Sequence, residues 1–137
     1  MGRVFFNTRV NIDTTSITDT TTYVMTAEDS GKTFLVSEGA QTITLLPAAD
    51  FIEGWNCRFI TTASPSGDKV IGAGSTIIHG SSANGSGDAG AASDGTAKTS
   101  VTIEAASQAG NFVDIVCDGS LYYVSGTHGQ NNATTFA

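Results

Sequence analysis

The nine residues Thr26-Ala27-Glu28-Asp29-Ser30-Gly31-Lys32-Thr33-Phe34 contain Gly-Lys-Thr, the ending of a phosphate-binding loop. Such a loop needs glycine five residues before its final Gly, so that backbone amides converge on phosphate, and a helix directly afterwards. Position 26 is threonine, Glu28 and Asp29 would set two carboxylates beside the anion, and Phe34-Leu35-Val36 reads as a strand. The stretch is therefore expected to be a tight connection between strands. Thr26 caps a turn whose third residue is Asp29, and Gly31 ends it.

Other residue types with chemical potential do not fall into known constellations. Cys57 and Cys117 each lie inside an apolar, strand-like run and are expected to be buried thiols, with a disulfide between them as the alternative. His79 and His128 lack the close ligand pairs of a zinc site, and neither is tied by spacing to a serine elbow or a motif-placed cysteine. Asp88 and Asp94 fit neither an EF-hand loop nor a nonapeptide calcium repeat. The remaining carboxylates are scattered singly along turns and read as solvated surface. No catalytic, cofactor-binding or metal-binding residue is expected, and the protein reads as a non-enzyme that needs no cofactor.

A chain of 137 residues suffices for one domain. The chain is 39% hydrophobic and 14% charged, and its apolar residues cluster in short runs between Gly, Ser and Thr, as in a strand-rich fold. Alternating or β-branched runs place strands at 3–7, 21–25, 33–37, 41–46, 55–62, 69–72, 76–79, 100–105, 112–118 and 121–125. Turn chemistry separates them at Ser37-Glu38-Gly39, Ser64-Pro65-Ser66-Gly67-Asp68 and Asp118-Gly119-Ser120. A second short helical turn is expected where Pro47 precedes Ala48-Ala49-Asp50 and Gly54 follows.

This pattern predicts an all-β fold: a small antiparallel β-sandwich or barrel over 21–126, an extended arm over 1–20 and a polar tail over 127–137. Residues 80–98 are almost entirely small or polar and read as one long Gly/Ser-rich flexible loop.

Thirteen acidic against six basic side chains give a net charge of -7, which disfavours nucleic acid and anionic membrane as partners. Arg3 and Arg9 are the only charged residues before Asp13, so the N-terminal segment is basic and the body acidic. No stretch has the pattern of a secretory signal or the ~18 apolar residues of a membrane span, so a soluble, uncleaved chain is expected.

From about Thr21 to Gly126 the sequence resembles a β-rich module of virion proteins from tailed bacteriophages. The resemblance is carried by Thr26 to Phe34, then Thr42-Ile43-Thr44-Leu45-Leu46-Pro47-Ala48, then Gly54-Trp55 with Phe59-Ile60. It continues through Pro65-Ser66-Gly67-Asp68 with Val70-Ile71, Ile78 with Gly80, Gly110-Asn111-Phe112-Val113, and Asp118 through Gly126. One departure is Leu45-Leu46-Pro47, where a single leucine before proline is expected, and it points to a bulge.

What the resemblance implies is a capsid decoration (cement) protein, a homotrimer on the outer capsid surface of the virion, assembled in the host cytoplasm. Its partner would be the major capsid protein, whose neighbouring subunits it bridges. The alternative is a fibre, spike or receptor-binding module of tail or head; an unrelated carbohydrate-binding sandwich or a hydrolase with a spatially assembled acid pair ranks third. No coiled-coil or collagen period accompanies the domain, which favours decoration. In that setting Arg3, Val4, Phe5, Phe6, Arg9 and Val10 form a capsid-binding arm able to add a strand to a sheet edge. The competing reading makes them an ordinary first strand. Trp55, Phe112, Tyr122 and Tyr123 are the large residues available for core or subunit contact, with Trp55 in the core and the two tyrosines on opposite faces of one strand.

Overall fold

The computed structural model describes residues 14–17 (backbone only), 22–36, 39–63, 65–75, 77–85, 90–93, 95–130 and 133–137. Twelve strands appear among them: β1 Thr14–Ile17, β2 Thr22–Val24, β3 Thr33–Val36, β4 Gln41–Thr44, β5 Asn56–Thr61, β6 Lys69–Gly72, β7 Ile78–Asn84, β8 Ala91–Ala92, β9 Ser100–Ile103, β10 Phe112–Cys117, β11 Tyr122–His128 and β12 Thr134–Phe136. They form a seven-stranded sheet, β1-β3-β5-β10-β11-β7-β8, and a five-stranded sheet, β12-β9-β6-β4-β2. The fold is all-β, as the alternation predicts.

The first six strands follow one rule. Odd-numbered strands lie in the larger sheet, even-numbered strands in the smaller, and each pairs in parallel with the strand two places on. The chain therefore winds a two-sided coil of three turns. Register fixes its repeat: Thr14 aligns with Thr33, Thr22 with Thr42, Thr33 with Arg58 and Gln41 with Lys69. Beyond β6 the pairing changes character. β9 lies antiparallel on β6, β10 on β5 and β11 on β10, while β11 takes β7 in parallel.

Both sheets are thus mixed, which corrects the antiparallel expectation. Period-2 alternation is common to both kinds of ladder, and only the alternation of successive strands between sheets makes the re-entry parallel.

One core serves both sheets. Phe34, Phe59 and Ile115 from the larger meet Ile43, Ile71 and Val101 from the smaller, all with essentially no exposure. Phe34 stacks on Phe59 at 5.2 Å, and Tyr23 meets Phe34 edge-on at 5.5 Å.

Two further expectations need correction. The stretch 80–98 is not one loop: β7 runs through Gly80 to Asn84, Ala91–Ala92 pairs back on it, and Ile78 and Lys98 exchange two backbone hydrogen bonds. Two of its glycines are a packing requirement. A Cβ on Gly80 would lie 2.1 Å from the Val124 carbonyl oxygen, and one on Gly90 would lie 2.2 Å from that of Ser82. Nor is 127–137 a free tail, because β11 extends to His128 and β12 pairs with β9. Thr14–Ile17, counted with the arm, runs beside β3 at the edge of the larger sheet.

The two short helical turns occur where expected, at Ala27–Asp29 and Ala48–Asp50, followed by Gly31 and Gly54 at φ 81° and 84°. β4 ends before Leu45-Leu46, and both leucines are buried as the chain leaves the sheet.

Candidate functional site

The Gly-Lys-Thr stretch is built around Asp29 and has no phosphate cradle. The Thr26 amide and hydroxyl donate to Asp29 Oδ2 at 2.8 and 3.2 Å, and Lys32 Nζ and Tyr23 Oη donate to Oδ1 at 2.9 and 3.3 Å. Burial pushes the Asp29 carboxyl up, but the Thr26 amide and the Lys32 ammonium more than offset it, and the net shift is downward. Thr33 then opens β3, where a phosphate loop would begin a helix.

Trp55 and Tyr122 hold this turn and the next to the core. Trp55 Nε1 donates to the Thr26 carbonyl at 3.1 Å, and Tyr122 Oη donates to the Leu46 carbonyl at 2.9 Å. Both residues are buried, and Phe51 and Trp55 meet the Tyr122 ring edge-on at 5.0 and 6.1 Å. Cys57 and Cys117 are buried free thiols on neighbouring strands, and burial raises the Cys57 thiol far above its ordinary value.

Sequence spacing missed one pair with catalytic-looking chemistry. Ser82 Oγ and His128 Nδ1 share a 2.7 Å hydrogen bond, with both residues buried. They meet because β7 and β11 run in parallel, Ser82 opposite Gly126 and Asn84 opposite His128. The signal was present only if β7 is carried through Gly80, which sets Ser82 on the inward face. His79, by contrast, lies outside the core and stacks on Tyr123 at 6.4 Å.

The outer face of the larger sheet carries cross-strand rows. Arg58 sits opposite Asp114 and holds it with two hydrogen bonds, one from Nη2 at 2.6 Å, while its guanidinium lies 4.8 Å from the centre of the Phe112 ring. In the next row Val116 and Tyr123 face each other, 46% and 47% exposed. Tyr123 is thus the tyrosine open to a partner, and Tyr122 belongs to the core.

A second apolar feature lies where the coil begins. Val24 and Ile52 are 63% and 45% exposed and flank a groove with Ala27, Pro47 and Phe51, with Asp50 beside it. β2 ends its sheet beside this groove and β1 ends the other sheet, and among the described residues no strand covers either outer edge. At the opposite ends of the sheets β8 and β12 approach one another.

Arg3, Val4, Phe5, Phe6, Arg9 and Val10 lie outside the described residues, as do Asp88 and Asp94. Among the described residues no group of three or more His, Cys, Asp or Glu could hold a metal ion, and no helix is long and apolar enough to cross a membrane. Comparison with known proteins finds no matching family model, no matching curated protein and no matching solved structure.

Proposed function

We propose that this chain is a structural virion protein that decorates a tailed-phage capsid and stabilises it by bridging neighbouring major capsid subunits, as a homotrimer on the outer surface. The observation that carries the reading is the edge of β2, which no strand covers among the described residues and which adjoins exposed Val24 and Ile52. A strand edge beside an apolar groove is suited to attachment by strand addition and apolar burial. The sequence resemblance supports it further, since its motif residues are those that shape the turns. Gly31, Gly54, Gly110 and Gly119 all take positive φ, where other residues are strained.

The parallel coil also favours the alternative of a fibre or spike module, because stacked turns are a geometry that lengthens by repetition. Binding of the isolated protein to shells separates the two. Decoration predicts saturable binding of hundreds of copies per shell, weakened at least tenfold by Ile52→Lys with folding unchanged. A few dozen copies confined to one vertex would favour the fibre, and no binding to intact shells would remove the decoration reading.

A further inference from the structure

Register lays out the outer face of the larger sheet in rows. Thr33, Arg58, Asp114 and Ser125 stand side by side across β3, β5, β10 and β11. Asn56, Val116, Tyr123 and His79 form the next row, across β5, β10, β11 and β7. Between the rows Asn56, Arg58, Asp114, Val116 and Ser125 line a groove, with Lys32 and Thr33 on its β3 side. Its volume of about 450 Å³ falls within the ~300–1,000 Å³ range of small-molecule sites.

The two cations of this groove are already answered. Arg58 gives two hydrogen bonds to Asp114, and Lys32 is tied to Asp29 at 2.9 Å. An ionic ligand therefore finds no charge to neutralise, and a neutral one meets polar groups fixed in place. Arg58 spends Nε and Nη2 on Asp114 and packs against the Phe112 ring, which leaves Nη1 to donate. Asn56 Nδ2 donates to the Gly54 carbonyl at 2.9 Å, which leaves its side-chain oxygen as an acceptor. The Asp114 carboxylate has acceptor sites beyond the two that Arg58 uses.

Beside these groups Tyr123 presents an aromatic ring. It is 47% exposed, lies within 26° of parallel to His79, and its hydroxyl hydrogen-bonds to Asp118. Asp118 is itself fixed by the Ser120 and Leu121 amides, both at 2.8 Å. An exposed tyrosine held in this way loses little freedom on binding, so it is a preorganised platform. Tyr123 faces Val116, and Asp114 is its diagonal neighbour, a separation of about 7–8 Å. A pyranose ring spans that distance. Its positively polarised C–H groups match the negative face of the tyrosine, and its hydroxyls match the polar row.

We propose that this groove binds a neutral glycan, with a sugar ring packed on Tyr123 and Val116 and its hydroxyls hydrogen-bonded to Asp114, Arg58 Nη1 and Asn56 Oδ1. A protein partner is less suited to the face. Val116 and Tyr123 are the only large apolar residues exposed on its described part, without the apolar centre that a stable protein interface has. The site belongs to the larger sheet and the β2 edge to the smaller, so the inference stands independently of the capsid reading.

The test is amide-resolved NMR titration of the full chain with maltotriose, cellotriose, mannotriose and lactose, and with glucuronic acid as the anionic counterpart. The expected result is saturable shifts, millimolar or tighter, with at least one neutral sugar and centred on Asn56, Asp114, Val116 and Tyr123. Tyr123→Ala should weaken binding at least about tenfold with the other β5 and β10 amides in place, and Tyr123→Phe, which keeps the ring, should retain most of it. No shift at these amides with any neutral sugar would overturn the inference, as would binding that Tyr123→Ala leaves unchanged. Preference for glucuronic acid would overturn it in favour of an anion site. Shifts of the same amides with protein concentration alone, the sugars having no effect, would overturn it in favour of contact between copies of the chain.

Discussion

Ser82 and His128 are 46 residues apart in sequence and 2.7 Å apart in space, hydrogen-bonded between two parallel strands in a buried position. Burial lowers the His128 pKa from 6.5, so the folded protein holds the neutral ring. The unfolded chain then binds the proton more readily than the folded one. Stability is complete above the unfolded value and falls as the pH drops through 6.5 toward the folded value. Urea midpoints at pH 7.5 and 5.5 should show this decline, and His128→Gln should reduce it. Ser82→Ala, which strips the ring of its hydroxyl partner, should cost about 1–3 kcal/mol at pH 7.5.

Trp55 is the chain's only tryptophan and joins the Thr26 turn to the core through its Nε1 hydrogen bond. Trp55→Phe keeps most of the apolar volume, loses the donor and leaves the Thr26 carbonyl with the Asp29 amide alone. We expect a loss of about 2 kcal/mol, with roughly 3–5 kcal/mol for Trp55→Ala. Circular dichroism in urea measures both, since the fluorophore is gone.

Gly80 and Gly126 mark places where backbones nearly touch. An added Cβ would stand 2.1 Å from the Val124 oxygen in one case and 2.5 Å from the Phe112 oxygen in the other. Either alanine forces strands apart, and a loss of about 3 kcal/mol or more is expected. Gly72 is the control, because its nearest atom would be 3.8 Å away and alanine should change stability by no more than about 1 kcal/mol. Thermal melts of the three variants give the comparison.

Asp29 should govern part of the acid limb of stability. Its carboxyl is held below the ordinary value, so its contribution is present above an unfolded pKa of about 3.9 and disappears as pH falls through the folded value. Asp29→Asn should lower stability at pH 7 by about 1–2 kcal/mol and flatten the profile below about pH 4. Denaturant midpoints across that range provide the check.

Much of this architecture was legible where side chains alternate. The limits of β6 coincide with the sequence reading, β3 and β10 stop one residue short, β5 falls one residue short at each end, and the Thr26–Asp29 cap followed from residue types alone. That Tyr122 and Tyr123 take opposite faces followed from period 2, and the structure makes Tyr122 the inward one. What escaped was structure made by small residues. At Gly80 in β7 and at Gly90 before β8 neighbouring backbone occupies the space of a side chain, and composition alone cannot distinguish such a small-residue strand from a loop. Parallel order escaped as well, since it depends on which sheet each strand joins. The Ser82–His128 pair was hidden by both causes at once, lying on the small-residue part of β7 and formed by parallel pairing.

The capsid reading is tested most directly by comparing purified particles with and without this polypeptide. A density reconstruction of complete particles, paired with the temperature at which each kind releases its genome, gives both location and effect. The account predicts hundreds of copies spread over seams between capsid subunits, and a release temperature lower by several degrees when they are missing. Equal heat resistance of the two particles, or density for the chain at the tail tip alone, would contradict it.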